Sequence, residues 1–316
     1  MYKQLHTLEK HPESLICFTI SPDGDTLVSS CYDIIKVWDL EEGTLICSHK
    51  LHKTPLHFSL VIDPHWTTFI TNYDYHIQRY DLLTGSLVSQ FSTEASGSIA
   101  IHPDGNTLIV GGYGHRVGEK PFIPIKLFDL QTQKVVHMLQ GHEHIVSSVI
   151  ISPDGKRLVS QSHHSSIKVW DLLTGQELCS FAQPPYRWID AVALVNLTDL
   201  VISGCRLSIN EFKGHDWNNL HTNVWNVMTD EVIYSLPKSP RRYSPYLLGE
   251  PRSVMTPDGK ILVSGDDVNF VVWDWQSDKM LCTLQGHKSK VENLAIAPNG
   301  QIIASYAEDG IRIWKR

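Results

Sequence analysis

The sequence predicts an all-β chain built from repeats of one antiparallel unit, and three markers in a shared register carry that expectation. An aromatic residue followed by Asp or a near relative recurs as Trp38-Asp39, Tyr80-Asp81, Phe128-Asp129, Trp170-Asp171, Trp225-Asn226, Trp273-Asp274 and Trp314-Lys315, at intervals of 42, 48, 42, 55, 48 and 41 residues. A Pro-Asp-Gly-like turn, anchored on Pro22, Pro64, Pro103, Pro153, Pro257 and Pro298, precedes the aromatic by 16, 16, 25, 17, 16 and 16 residues. His11, His142 and His287 each stand 11 residues before their Pro. Self-similarity at such a period marks a repeat architecture.

Within a unit the elements read as strands. Thr-Leu-Val-Ser-Ser at 26–30, Ile-Lys-Val-Trp at 35–38 and Thr-Leu-Ile-Cys at 44–47 alternate or run apolar and carry β-branched residues. Asp-Gly, Glu-Gly and Thr-Gly dipeptides between them supply the positive φ that tight hairpins need. No stretch sustains a helical period. The unit is a four-stranded antiparallel meander.

Composition narrows the class. The 316 residues include 27 Lys and Arg against 34 Asp and Glu, a net charge of −7, with 42% apolar and 19% charged residues. These are globular values, and they exclude a fibre, a disordered tail, a membrane-spanning protein and a small disulfide scaffold. The acidic balance is not that of a chain built globally for nucleic acid or an anionic membrane. No basic cap precedes a long apolar stretch at the N-terminus, and the longest apolar runs, such as Ala191 to Val195, are far too short to span a bilayer. Cys17, Cys31, Cys47, Cys179, Cys205 and Cys282 form no CxxC pair. The expectation is a cytoplasmic protein with buried thiols.

Ser152-Pro-Asp-Gly-Lys-Arg-Leu-Val-Ser, followed by Ile167-Lys-Val-Trp-Asp-Leu-Leu-Thr-Gly-Gln-Glu-Leu, resembles the consensus unit of the WD-repeat β-propeller family, and the resemblance covers essentially the whole chain. It implies a seven-bladed β-propeller of four-stranded antiparallel blades around a central channel, one per aromatic marker, in a single domain over residues 1–316. Closure can be counted. From aromatic to the next His the interval is 14 at Phe128 to His142 and at Trp273 to His287. The last unit stops two residues after Trp314, and His11 lies close to the required distance from the start. Tyr2 to Leu8 is therefore expected to supply the missing outer strand of the last blade, as in similar propellers, because an open ring would leave a sheet edge unpaired.

The 17 His residues invite a catalytic or metal reading. In proteins similar to this one the His before the first strand bonds a strand-two Ser or Thr, a turn Asp and the Trp indole N–H. The resemblance implies two such sets, His11, Ser29, Asp33, Trp38 and His287, Ser305, Asp309, Trp314. A third set, His142, Ser160 and Trp170, has His164 where the turn Asp belongs. These His are expected to be structural. Adjacent His163 and His164 lack a second pair placed by spacing, so no metal is expected. Cys47, Cys179 and Cys282 occupy one equivalent fourth-strand position in three blades and are read as small packed hydrophobes. No nucleophile elbow, Walker loop, HExxH or GxGxxG occurs. Ser165-Ser-Ile-Lys168 matches SxxK by letters, but it opens a strand. Neither a catalytic residue nor a cofactor is expected.

Recognition is expected where the repeats are broken. In a meander the second-to-third hairpins and the links between blades share one end, here the top. Extra residues accumulate there, at 111–124 and 204–221 within blades three and five, and at 182–188 and 237–252 between blades. These segments sum to +5, leaving −12 on the rest of the chain. They interleave Arg116, Arg187, Arg241 and Arg242 with Tyr113, Tyr186, Trp188, Trp217, Tyr243 and Tyr246, the residue types that dominate binding hot spots. The leading expectation is a scaffold that docks a protein or peptide partner on this face. A binding module for single-stranded RNA or a phosphorylated ligand is the second. An enzyme with its site at the top of the channel is the third. The purely structural alternative is that the loops pack on one another over decayed repeats, since Tyr246 stands 11 before Pro257, in the place of a structural His.

Overall fold

The protein is represented by a computed structural model. It describes residues 2–12, 15, 17–31, 33–51, 59–73, 75–93, 97–112, 115–117, 120–122, 124–162, 166–182, 187–195, 200–207, 222–226, 231–235, 253–266, 268–274, 277 and 279–316. Among the described residues every regular element is a strand, and the strands form seven four-stranded antiparallel sheets and one short hairpin.

After β1 (Lys3–Leu8), the first sheet is β2 (Cys17–Ile20), β3 (Thr26–Ser30), β4 (Ile34–Asp39) and β5 (Thr44–Lys50). The second is β6 (Ser59–Ile62), β7 (Thr68–Tyr73), β8 (His76–Asp81) and β9 (Leu87–Ser92). In the third, β10 (Ile99–Ile101) and β11 (Thr107–Val110) are followed by the separate hairpin β12 (His115–Val117) and β13 (Lys120–Phe122), then by β14 (Ile125–Asp129) and β15 (Lys134–Leu139). The fourth is β16 (Val146–Ile151), β17 (Arg157–Ser162), β18 (Ser166–Asp171) and β19 (Glu177–Ala182). The fifth is β20 (Arg187–Val195), β21 (Leu200–Leu207), β22 (Thr222–Asn226) and β23 (Glu231–Ser235). The sixth is β24 (Ser253–Met255), β25 (Ile261–Asp266), β26 (Asn269–Asp274) and β27 (Lys279–Gln285). The last sheet joins β28 (Val291–Ile296), β29 (Ile302–Ala307) and β30 (Gly310–Lys315) to β1, with Lys3 opposite Lys315 and Leu8 opposite Ile311.

The aromatic-Asp marker has two physical jobs. The aromatic is core: Trp38, Phe128, Trp170 and Trp314 are all buried. The Asp that follows caps the next turn, where Asp39 accepts from the Glu42 amide (2.8 Å), Asp81 from Thr84 (2.7 Å), Asp129 from Thr132 (2.6 Å) and Asp171 from Thr174 (2.7 Å). Lys315 stands where the other markers have Asp or Asn, and the fourth strand of that sheet is β1. The first-to-second turns need a left-handed residue, supplied by Gly24 (φ 88°) and Gly155 (φ 72°). In the second sheet Trp66 takes that place at φ 56°. Left-handed backbone costs a residue with a Cβ about 1–2 kcal/mol.

A feature that the spacing did not reveal repeats in every sheet. The pairing of third with fourth strand slips by one residue just before the aromatic, at Val37/Trp38, Arg79/Tyr80, Leu127/Phe128, Val169/Trp170, Val224/Trp225 and Val272/Trp273. These are β-bulges, which put one extra residue on the outer strand: Ile46, Val88, Val136, Leu178, Ile233 and Leu281. Strand β1 has the same bulge at Leu5, between Gln4 opposite Trp314 and His6 opposite Ile313. By register as well as position, β1 is a fourth strand.

The chain divides into two compact units. One, comprising 1–52, 187–226 and 231–316, holds the first, fifth, sixth and seventh sheets. Its core packs Leu8, Leu27, Trp38, Ala304 and Ile313 in one cluster and Tyr2, Val263, Phe270, Val272 and Trp314 in another. The other, comprising 53–186 and 227–230, holds the second, third and fourth sheets, with Ile70, Ile77, Leu108 and Phe128 in one cluster and Ile109, Leu127, Leu158 and Trp170 in the next. Inner strands read as near-continuous apolar runs because both faces are covered, as in fully buried Ile302–Ala307.

Candidate functional site

Three buried side-chain sets account for the His markers. Ser29 Oγ lies 2.8 Å from His11 Nε2 and accepts the Trp38 indole N–H at 2.8 Å. Ser160 Oγ lies 2.6 Å from His142 Nε2 and accepts from Trp170 at 2.8 Å. Ser305 Oγ lies 2.8 Å from His287 Nε2 and accepts from Trp314 at 2.9 Å. In the last sheet His287 Nδ1 also meets Asp309 Oδ1 at 2.6 Å. The expected bond from His to the indole is corrected: in all three sets the indole N–H goes to the Ser oxygen instead. With His287 neutral and Asp309 ionised, Nδ1–H faces the carboxylate and Nε2 accepts from the Ser hydroxyl.

The expectation for Asp33 is corrected. Among the described residues His11 Nδ1 has no hydrogen-bond partner, and Asp33 turns instead toward Lys50, with Nζ at 3.7 Å.

Ser305, His287 and Asp309 have the bonding order of a hydrolase triad, yet the geometry serves another purpose. All three Ser side chains are fully buried, and each Oγ already accepts an indole N–H. A nucleophile needs an open approach, which burial denies these hydroxyls. Here the Ser links first-strand entry, second strand and third strand within one sheet.

Burial dominates the electrostatics. Desolvation, helped by Lys36, lowers His11 to about 4, and desolvation with Lys168 lowers His142 to about 4. Desolvation also lowers His287, against the opposing pull of Asp309. For Asp309 burial pushes upward, but hydrogen bonds from His287, the Lys288 amide and Arg312 outweigh it and hold the carboxyl at about 2. At neutral pH the three imidazoles are uncharged and Asp309 is ionised.

Further His residues act as spacers between sheets. A Cβ at Gly175 would meet the His137 ring at 1.7 Å, one at Gly155 the His102 ring at 2.3 Å, and one at Gly43 the His6 ring at 2.7 Å. His102 Nε2 reaches Gly155 O at 2.9 Å and His6 Nε2 reaches Glu41 O at 2.8 Å. The turn glycines therefore serve a second purpose, admitting the neighbouring sheet's imidazole. Cys47, Cys179 and Cys282 do share one register position, opposite Val37, Val169 and Val272. They are half-buried rather than core residues. No group of three metal-ligating side chains converges among the described residues.

The Arg and aromatic residues of the repeat breaks are only partly placed. Tyr113, Tyr186, Trp217, Arg241, Arg242, Tyr243 and Tyr246 lie outside the described residues, as do His163 and His164. Arg116 sits in β12, opposite Pro121. Arg187 and Trp188 belong to strand β20, opposite Leu207 and Arg206, and not to a link between sheets. The sequence reading ended the link at Trp188 because Pro184-Pro185 masked where the strand begins. The inserted segments of the third and fifth sheets do leave after second strands, since Val110 pairs with Lys126 and Gly204 with Thr222.

Three stretches, residues 2–39, 133–171 and 278–315, match the family model for the WD domain, G-beta repeat. The chain carries three WD repeats. Each matched stretch contains one His-Ser-Trp set, and each begins on the outer strand of one sheet and ends on the third strand of the next. Repeat and sheet are thus out of phase by one strand, which is why the first repeat opens with β1 of the last sheet. The chain is 24% identical over 98% of its length to the nuclear distribution protein PAC1 of Arthroderma otae. It is 27% identical over 58% of its length to the U3 small nucleolar RNA-associated protein 15 homolog of Xenopus laevis, and 26% identical over 54% to the striatin homolog of Dictyostelium discoideum. It spans 60%, 32% and 22% of those relatives' own lengths. WD-repeat proteins generally act as protein-interaction scaffolds.

Proposed function

We propose that this WD-repeat chain is a non-catalytic scaffold, a single seven-bladed ring over residues 1–316 closed by β1. It docks a protein or peptide partner on the face where 111–124, 182–188, 204–221 and 237–252 emerge. The observation that carries the reading is how residue types are divided. The His and Ser that could do chemistry are engaged inside the sheets, while Arg, Tyr and Trp collect in the segments that break the repeat. Rigid strands give stability and interrupted loops give recognition. The reading includes a reducing, cytoplasmic setting, in keeping with Cys31, Cys47, Cys179 and Cys282 as thiols.

Replacing Arg241, Arg242 and Tyr243 together by Ala is expected to reduce partner capture from native lysate about tenfold or more, the effect of losing one or more hot spots. The thermal melt should stay where it was. Capture equal to wild type would count against the assignment of the face. The +5 carried by the four segments favours a second reading, a single-stranded RNA or phosphorylated ligand on the same cluster. Its signature is a steep loss of affinity with salt; a protein partner held by aromatic anchors shows a shallow one.

A further inference from the structure

Asn299-Gly300 is the one Asn-Gly pair in the chain. It lies in the turn between β28 and β29, where other sheets place Asp23-Gly24, Asp104-Gly105, Asp154-Gly155 and Asp258-Gly259. Gly300 takes φ 67° and is packed so closely that a Cβ there would meet Ile261 Cδ1 at 2.8 Å. The turn therefore requires Gly after Asn299, and Gly leaves its backbone nitrogen unshielded by any side chain. Asn299 itself is exposed. Its Oδ1 accepts the Gln301 amide at 2.9 Å, as Asp23 accepts Asp25 and Asp154 accepts Lys156, while its Nδ2 reaches Asp23 O only at 3.5 Å.

Such a pair carries its own chemistry. The Gly300 nitrogen can attack Asn299 Cγ. The new N–Cγ bond closes a five-membered imide, the Cγ–Nδ2 bond breaks, and the amide proton leaves with Nδ2 as ammonia. Water then opens the ring, to aspartate where the Cγ–N bond breaks or to isoaspartate where the backbone C–N bond breaks. The folded turn opposes the first step, because the attacking nitrogen must give up its proton and swing toward Cγ. The Gly300 N–H donates to Ala297 O at 2.8 Å. The next peptide is clamped at both ends, its N–H on Asn299 Oδ1 and its carbonyl oxygen by the Tyr2 hydroxyl. Tyr2 immediately precedes β1, so this clamp lasts only while β1 is seated on β30.

We propose that Asn299 is a site of spontaneous deamidation, guarded by Tyr2 and released when β1 lifts from the last sheet. Aspartate restores the residue that the other turns use. Isoaspartate lengthens the turn by one backbone atom, which displaces Gly300 from Ala297 and Tyr2 and leaves a lasting chemical record of the opening.

Peptide mass mapping of the full chain, held in mildly alkaline buffer, follows conversion of the Asn299 amide to an acid, and enzymatic methylation of isoaspartate counts that product. Wild type is expected to convert far more slowly folded than in urea. Tyr2→Phe, which keeps the ring but lacks the hydroxyl, should convert about fivefold faster than wild type while folded, the change that loss of one ordinary hydrogen bond produces. Ile77→Val, a mild core change in the second sheet, should convert at the wild-type rate. If Tyr2→Phe fails to fold, Gln4→Ala, which frees β1 from Arg312, takes its place and should also convert faster. Equal conversion of folded and urea-unfolded wild type, no conversion in urea, or a folded β1-side variant that converts no faster than wild type or Ile77→Val would overturn the proposal.

Discussion

Removal of residues 1–9 is expected to lower the melting temperature by about 10 °C or more, or to drive the chain into aggregates. Strand β1 is held at both ends by side chains that belong to different parts of the core. Tyr2 packs among Val263, Phe270 and Trp314 and donates its hydroxyl to Gly300 O, joining the sixth and seventh sheets. Leu8 packs among Leu27, Trp38 and Ile313, joining the seventh and first. Between these anchors Gln4 accepts from Arg312 at 2.7 Å. Losing a buried Leu side chain alone costs about 2–5 kcal/mol. Losing Tyr2 and the strand pairing adds to that and bares the edge of β30 beside Trp314. In a chain larger than 150 residues each kcal/mol moves the melt by about 2–4 °C. Differential scanning calorimetry of the truncated chain checks the prediction; a melt within a degree or two of wild type would contradict it.

Acid is expected to destabilise the fold well above the pH at which carboxylates protonate. His11 and His142 sit at about 4 in the folded chain and near the ordinary imidazole value when unfolded. The unfolded chain therefore takes up their protons first as pH falls. Their contribution is complete above about pH 6.5, is lost progressively between about 6.5 and 4, and changes no further below that. At 1.36 kcal/mol per unit of displacement, each is worth about 3 kcal/mol across the window. His287 is displaced in the same direction and adds to the loss. Asp309, held at about 2, contributes stability that disappears only on further acidification. Urea midpoints should be nearly level from pH 7.5 to about 6.5 and then fall steadily to pH 4.5. The double variant His11→Gln, His142→Gln should be less stable at pH 7.5 but show a shallower slope. A wild-type midpoint flat across this range would show that these imidazoles titrate normally.

Most of the architecture was legible because the repeat is a property of spacing. The aromatic, the Asp after it and the Pro-Asp-Gly turn each have a local cause, a core position, a turn cap or a left-handed residue, and local causes survive in sequence. The residues of the His-Ser-Trp sets were legible only through the resemblance to the WD-repeat family. What escaped notice depends on three-dimensional competition. Asp33 has the spacing of Asp309 yet faces Lys50, a choice that no one-dimensional pattern encodes. The bulges were hidden because outer strands such as Thr44-Leu-Ile-Cys read equally well with or without an extra residue. The contact of His137 with Gly175 joins different sheets at a sequence separation that no motif spans. The recognition segments were legible only as breaks and compositions. Arg187 and Trp188 show the limit of that signal, since they continue a strand rather than fill a loop.

The central claim is that the first strand of the chain completes its last sheet. Lys3 and Lys315 are paired across β1 and β30, and both are exposed, so a cysteine at each can be introduced without disturbing the core. Directly paired strand positions lie within disulfide reach. Mild oxidation of the Lys3→Cys, Lys315→Cys variant, followed by peptide mass mapping, should find the two ends of one molecule joined to each other. Recovery of both thiols unlinked from the folded chain would contradict the account.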